Sequence, residues 1–207
     1  MKIDTASIIK EYDAKKEAYK KLGEEIKYIL QKKISEHNIK VHEIVARPKD
    51  VNSFLDKIRR KNISNPFEDI HDLVRARVVC LFLSDLKEIC DIAKNEFDVF
   101  EEDDKINDDE LNIFGYMCIH LKARLKHSPE ERTKDIEGIP FEIQIRTISQ
   151  DAWASISHYL DYKKESLIPR QLKKDLNALS GLFYVADTHF TIIKEKQKNQ
   201  TAEKIKK

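Results

Sequence analysis

Net charge is almost absent from this chain: 38 Lys and Arg stand against 37 Asp and Glu. Bulk attraction to nucleic acid is therefore not indicated, and any anion site must come from local clustering. The three cysteines, Cys80, Cys90 and Cys118, are scattered with no pair at metal-ligand spacing. Cys80 and Cys118 lie in apolar runs and read as small core residues in a reducing compartment. There is no signal peptide and no apolar run near 18 residues, so the expectation is a cytoplasmic protein without a membrane partner. Internal repeats are missing too. With 207 residues, 41% hydrophobic and 36% charged, the chain suits a single domain (1–207) with long solvated helices around a modest core.

Apolar residues recur at helical spacing over 6–37, among them Tyr12, Tyr19, Leu22, Ile26, Ile29 and Leu30. Val41–Ala46 alternates as a first strand. Pro48 sits where a helix can open, and Val51–Lys61 has helical character. Arg77–Leu83 is a continuous β-branched and aromatic run, predicting a central strand, with Ser84 or Asp85 capping a helix over 86–95. Phe97–Phe100 is a short strand candidate, and the acidic stretch Glu101–Glu110 reads as a flexible loop. Met117–Leu125 and Pro140–Thr147 resemble a strand pair joined by a polar connection. Helices are expected over 149–160 and from Pro169 to about Lys196, with a frayed Lys-rich tail from Glu195. Mixed rather than alternating order favours an α+β domain with helices against one mixed sheet.

Several polar groups stand out from this frame. In Phe141–Thr147, a period of two puts Glu142, Gln144 and Arg146 on one side, each roughly 6–7 Å from the next. A carboxylate able to hold a metal, beside an Arg able to hold a phosphate, suits work on a nucleotide. In isolation, the row fits a solvated sheet edge equally well. Arg47, Lys49, Ser53, Lys57, Arg59, Arg60 and Lys61 form the densest basic cluster. On a helix beginning near Lys49, positions 49, 53, 57 and 60 share a face that can grip polyphosphate, or merely be solvated. Asp72, ahead of the apolar strand, is a natural Mg²⁺ ligand or a helix cap. If Asp72 and Glu142 lie on neighbouring strands they can share an ion, and one could accept a proton from a hydroxyl. Gly115 permits a tight approach, Tyr116 offers a stacking face, and alternation puts Tyr116, Cys118 and His120 together. His158 and Lys163 are close enough along the chain to bind one phosphate, while Trp153 belongs to the core.

In this order, Arg47-x-Lys49…Ser53…Lys57, Asp72…Arg77, Gly115-Tyr116…His120, Glu142-Ile-Gln144-Ile-Arg146-Thr147 and Ala152-Trp153-Ala154…His158…Tyr162-Lys163 resemble the RelA/SpoT synthetase domain. The resemblance covers about residues 40–165, between helical flanks 1–39 and 166–207 similar to those of single-domain small alarmone synthetases. It implies a nucleotidyltransferase-like fold with a sheet of about five strands. The implied activity is Mg²⁺-dependent transfer of the β,γ-pyrophosphate of ATP to the 3′-hydroxyl of GDP or GTP, as in stringent-response signalling. Arg47 and Arg77 would then sandwich the adenine, and Lys49, Ser53, Lys57 and Arg60 would hold the ATP phosphates. Asp72 and Glu142 would manage the metal, Glu142 also being a candidate base, with Gln144 positioning the acceptor sugar. Tyr116 would stack on the guanine, and His120, Arg146, His158 and Lys163 would face acceptor phosphates.

Two departures bear on specificity. Arg75 stands where many relatives have glycine, and the segment before Phe114-Gly115-Tyr116 is acidic where relatives are basic. The second opens alternative acceptors: a tRNA 3′ end or an adenine nucleotide, as for toxin-type relatives. A non-catalytic nucleotide sensor is a further alternative, against which the retained Asp72 and Glu142 count. Long amphipathic end helices suggest a homo-oligomer. No space remains for the separate metal-dependent hydrolase domain of bifunctional relatives, so synthesis without degradation is expected.

Overall fold

A 32-residue helix, α1 (Thr5–Glu36), opens the computed structural model, which describes residues 4–106, 114–127, 133–161 and 169–205. The Asp4 carboxylate caps α1 by accepting from the backbone N–H groups of Ala6 and Ser7. Tyr12, Tyr19, Leu22, Ile26, Leu30 and Ile34 form its buried stripe. Then follow β1 (Val41–Pro48), α2 (Val51–Lys61), α3 (Pro66–Asp69), β2 (Val74–Cys80), α4 (Leu83–Glu96), β3 (Phe97–Asp104), β4 (Ile119–Leu125), β5 (Phe141–Thr147), α5 (Ile148–Asp161) and α6 (Arg170–Ile205). This is the expected α+β architecture: a five-stranded mixed sheet with long helices at both ends.

The strands lie in the order β1-β2-β5-β4-β3. Only the β2–β5 pair is parallel; the other three are antiparallel. Because side chains alternate along each strand, this register sorts the sheet into two faces. Ala76, Val78, Ile143, Ile145, Leu121 and Ala123 share the apolar face, which packs on α1 and α4. The opposite face carries cross-strand rows of polar residues. One row runs Arg47–Arg75–Glu142–Lys122 from β1 to β4, and the next runs Val45–Arg77–Gln144–His120. Residues far apart in the chain thus meet by backbone pairing alone.

Several expected boundaries move. The central strand begins at Val74 and ends at Cys80, and Leu83 already belongs to α4. Arg75 and Arg77 interleave with Val74 and Ala76, so the strand starts in alternation rather than in the continuous apolar run. Phe82, not Ser84 or Asp85, is the N-cap of α4, without a side-chain hydrogen bond. Instead, Ser84 and Asp85 meet Lys194 of α6. Pro48 closes β1, and it is Asp50 that caps α2 through the N–H groups of Asn52 and Ser53. Lys49 therefore precedes the helix rather than lying on it.

The acidic stretch is also part strand. Glu101 to Asp104 belong to β3, where Lys122, Lys94 and Lys105 pair with Glu101, Glu102 and Asp103. Neutralisation across the hairpin permits a charge run that looks loop-like in isolation. Residues 107–110 of that stretch lie outside the described residues. At the C-terminus, α6 continues to Ile205, past the expected fraying point at Glu195.

Candidate active site

Asp72 anchors one half of the polar face. It sits just before β2, is 4% exposed, and receives three cations. Lys49 Nζ and Lys57 Nζ lie 2.7 Å from its Oδ2 and Oδ1, and Arg75 Nη2 lies 2.8 Å from Oδ2. Burial alone would raise the Asp72 pKa, but Lys49 and Lys57 hold it well below the usual carboxylate range. Burial pulls the Lys49 ammonium down, against the opposing pull of Asp72. Lys49 is held in place by its backbone as well: its N–H donates to Leu73 O, and its own carbonyl accepts from the Tyr12 hydroxyl. The expected helical stripe therefore works by a different geometry. Lys57 reaches Asp72 from α2, and Lys49 from the strand end.

Glu142, near the start of β5, is the second buried carboxylate of the site. Gln144 Nε2 donates to its Oε1 at 2.6 Å, Arg75 Nε lies 3.2 Å from the same oxygen, and His120 Nδ1 lies 3.5 Å from Oε2. Burial pushes this carboxyl up, yet His120 and Arg75 outweigh that effect and bring it to about 2. For His120, burial lowers the pKa, while Cys118 and Glu142 raise it further, to about 9. All seven residues of β5 are buried, so the polar row is not a solvated sheet edge. Asp72 and Glu142 converge on a single guanidinium, that of Arg75.

This donor set fits a divalent ion. Asp72 and Glu142 contact different nitrogens of one guanidinium and so offer two carboxylate ligands, while no group of three or more His, Cys, Asp or Glu that could hold a metal occurs among the described residues. An ion held here would complete its shell with water and phosphate oxygens, as Mg²⁺ prefers.

A third carboxylate, Asp151, was missed in the sequence. Its Oδ1 lies 2.6 Å from Arg146 Nη2 and 3.3 Å from Arg77 Nη1, tying the two arginines together. A capping box puts Asp151 there: the Thr147 and Gln150 side chains each accept from the other's backbone N–H at the β5–α5 junction. That Thr-x-x-Gln pattern was the available sequence signal. Glu43 of β1 holds the other side of Arg77, 3.1 Å from Nη2.

The remaining expected residues divide into those brought together and those left apart. Tyr116 joins the cluster: its hydroxyl lies 3.0 Å from His120 Nε2 and 3.4 Å from Arg146 Nη1, and burial raises its pKa. Arg47 is exposed at the end of β1, directly opposite Arg75. Ser53 is half-buried in the first turn of α2, and Arg60 is exposed in its last turn. His158 is exposed near the end of α5. Lys163 lies outside the described residues.

Buried carboxylates, a fan of cations and a mixed five-stranded sheet define a nucleotide-handling transferase site. Residues 46–167 match the model of the region found in RelA/SpoT proteins. The GTP pyrophosphokinase YwaC of Bacillus subtilis (strain 168) is 31% identical over 156 residues, 72% of each chain. Among solved structures, small alarmone synthetase 1 from Bacillus subtilis superposes with a TM-score of 0.78 at 26% identity, covering 91% of this chain and 98% of that one. The same synthetase bound to its product pppGpp gives 0.77 at 28% identity, covering 90% and 98%. This chain belongs to the RelA/SpoT family.

Proposed function

We propose that residues 1–207 act as one synthetase domain that moves the β,γ-pyrophosphate of ATP to the 3′-hydroxyl of GDP or GTP, making (p)ppGpp in stringent-response signalling. The observation that carries this reading is the convergence of Asp72 and Glu142 on one cation position, with Lys49 and Lys57 beside it. Family membership supports it, as does the GTP pyrophosphokinase name of the relative YwaC.

Asp72 and Glu142 hold Mg²⁺, which when bound offsets the phosphate charge of the donor. Lys49, Ser53, Lys57 and Arg60 grip the donor phosphates, and Arg47 and Arg77 flank the adenine. Tyr116 stacks on the acceptor base. His120, Arg146, His158 and Lys163 face its phosphates. The Gln144 amide pins Glu142 Oε1 and helps to place the acceptor sugar. Glu142 Oε2, ionised and facing His120, is the atom suited to take the 3′-hydroxyl proton. Bringing two polyanions together needs this density of fixed cations, and an in-line transfer needs the hydroxyl held in place.

Incubating pure protein with γ-labelled ATP, Mg²⁺ and GDP or GTP yields labelled 3′-pyrophosphorylated product on this reading. No product with any guanine nucleotide rejects it. The same assay with adenine nucleotides and deacylated tRNA tests the other acceptors. ATP binding without turnover under every acceptor supports a sensor instead. No helix among the described residues is long and apolar enough to cross a membrane, and we place the reaction in the cytoplasm, where its nucleotides are.

Self-association belongs to the same proposal. Leu172, Leu179, Leu182, Val185, Phe190 and Ile193 expose apolar side chains along α6, more than scattered single residues account for. A second copy of the chain is the proposed occupant, and a monomeric mass in solution at micromolar concentration counters it.

A further inference from the structure

Among the described residues, Arg75 is the one cation of this site that touches both acidic side chains. In the sheet it lies between Arg47 on β1 and Glu142 on β5. Its Nη2 is 2.8 Å from Asp72 Oδ2, and its Nε is 3.2 Å from Glu142 Oε1. The second contact is one of charge and not of alignment, since Nε is buried without a hydrogen-bond partner. A guanidinium built only to brace two carboxylates would aim both nitrogens at them.

The surroundings separate Arg75 from its neighbours. The Lys49 and Lys57 side chains are 12% and 22% exposed, while that of Arg75 is 41% exposed. Its outer edge reaches water, so it can leave without unpacking the core. Asp72 and Glu142 bring two negative charges, Lys49, Lys57 and Arg75 bring three positive ones, and His120, more deeply buried beside Glu142, adds a fourth. A divalent ion arriving beside all of them would meet strong repulsion at these distances. One cation must yield, and Arg75 is the least buried of them.

We propose that Arg75 is a resident counter-ion which occupies the position between Asp72 and Glu142 in the nucleotide-free chain, so that a divalent metal enters with its nucleotide rather than alone. Resting on the donor site proposed above, this adds a second task for the same side chain. Once displaced, the guanidinium lies across the strand from Arg47 and joins the cations that grip the donor polyphosphate. The acidic pair is thereby kept compact and neutralised between turnovers, and free metal competes poorly for it.

The test measures Mn²⁺ binding to nucleotide-free protein by electron paramagnetic resonance, with no turnover required. Wild type is expected to bind Mn²⁺ weakly alone and at least roughly tenfold more tightly with a non-hydrolysable ATP analogue. Arg75→Gln and Arg75→Met are expected to raise nucleotide-free Mn²⁺ affinity by roughly tenfold or more. Adding Asp72→Asn to either should remove that gain, which assigns it to this site. Tight Mn²⁺ binding by nucleotide-free wild type overturns the proposal and needs no variant to fold. So does a folded Arg75 variant, checked by its thermal melt, that binds Mn²⁺ no better than wild type. Because no acceptor is involved, failure of alarmone synthesis leaves this readout intact, and failure of this readout leaves the synthesis assay intact.

Discussion

The proposed donor and acceptor halves of the site are not built in the same way. On the donor side, Arg75, Arg77 and Glu142 come from the adjacent strands β2 and β5, with Asp72 one turn of chain away. Backbone pairing sets their spacing, and short ion pairs through Lys49 and Lys57 hold them. On the acceptor side, Tyr116 precedes β4, and the chain before it is moored by a helix some 65 residues further on. Ser180 Oγ of α6 donates to Gly115 O at 2.7 Å, and Tyr184 meets the Phe114 ring with centroids 5.5 Å apart. A Cβ on Gly181 would come within 3.0 Å of that same ring. Thr147 Oγ1 donates to Asp187 of α6, and Trp153 Nε1 donates to Leu176 O. The proposed donor half depends on sheet register, while the proposed acceptor half shares that register through His120, Gln144 and Arg146 and adds, at Gly115 and Tyr116, the docking of one long helix. Changes in α6 should therefore reach the acceptor while sparing the donor.

The largest expected effect is on the shared carboxylate. Glu142→Gln removes both the proposed metal ligand and the proposed base, and product formation should fall by roughly a thousandfold or more in the labelled-ATP assay. Retention of activity near wild type would place the chemistry elsewhere. Asp72→Asn strikes the donor half at its anchor. It leaves Lys49, Lys57 and Arg75 crowded without their common partner, costing about 3 kcal/mol in a urea melt, with loss of ATP binding.

His120 tests the join between the halves through pH. In the unfolded chain its imidazole titrates near 6.5, and in the folded protein at about 9. The folded state therefore holds the extra proton in that window. The stability it contributes is complete below pH 6.5 and is lost as pH rises through 9, by about 3 kcal/mol at most. His120→Gln should flatten the melting temperature between those two pH values. An unchanged slope would mean that the ion pair with Glu142 contributes little. Glu142 behaves in the opposite sense: with its carboxyl at about 2, its contribution persists above pH 4.5 and fades as pH falls towards 2.

Smallest, and most diagnostic of the comparison, is Ser180→Ala. Loss of one buried hydrogen bond to Gly115 costs about 1 kcal/mol. The acceptor KM should rise roughly threefold to tenfold while the ATP KM stays put. Equal changes in both KM values would break the division into halves.

Much of the site was legible because its chemistry is local. Alternation in Phe141–Thr147 placed Glu142, Gln144 and Arg146 on one side, and the β2–β5 register confirms that they share a face with Arg75 and Arg77. Asp151 and Glu43 escaped notice because an isolated surface carboxylate and a partner of a buried Arg look alike in a sequence. The second half of β3, from Glu101 to Asp104, reads as loop in sequence because Lys94 and Lys122, which neutralise it, lie outside the acidic run. His158 joins the acceptor set only through the family resemblance, and it lies exposed near the end of α5.

By itself, the sequence determined which side chains alternate, which helices are amphipathic, and that two acidic residues accompany a basic cluster. Those properties depend on neighbours within a few positions, through the helical and strand periods. Only the tertiary structure decided that both carboxylates close on Arg75, and that α6 holds the Phe114-Gly115-Tyr116 segment from the far end of the chain. Such contacts arise from strand order and helix docking, which bring together residues whose separation in sequence carries no trace of their distance in space.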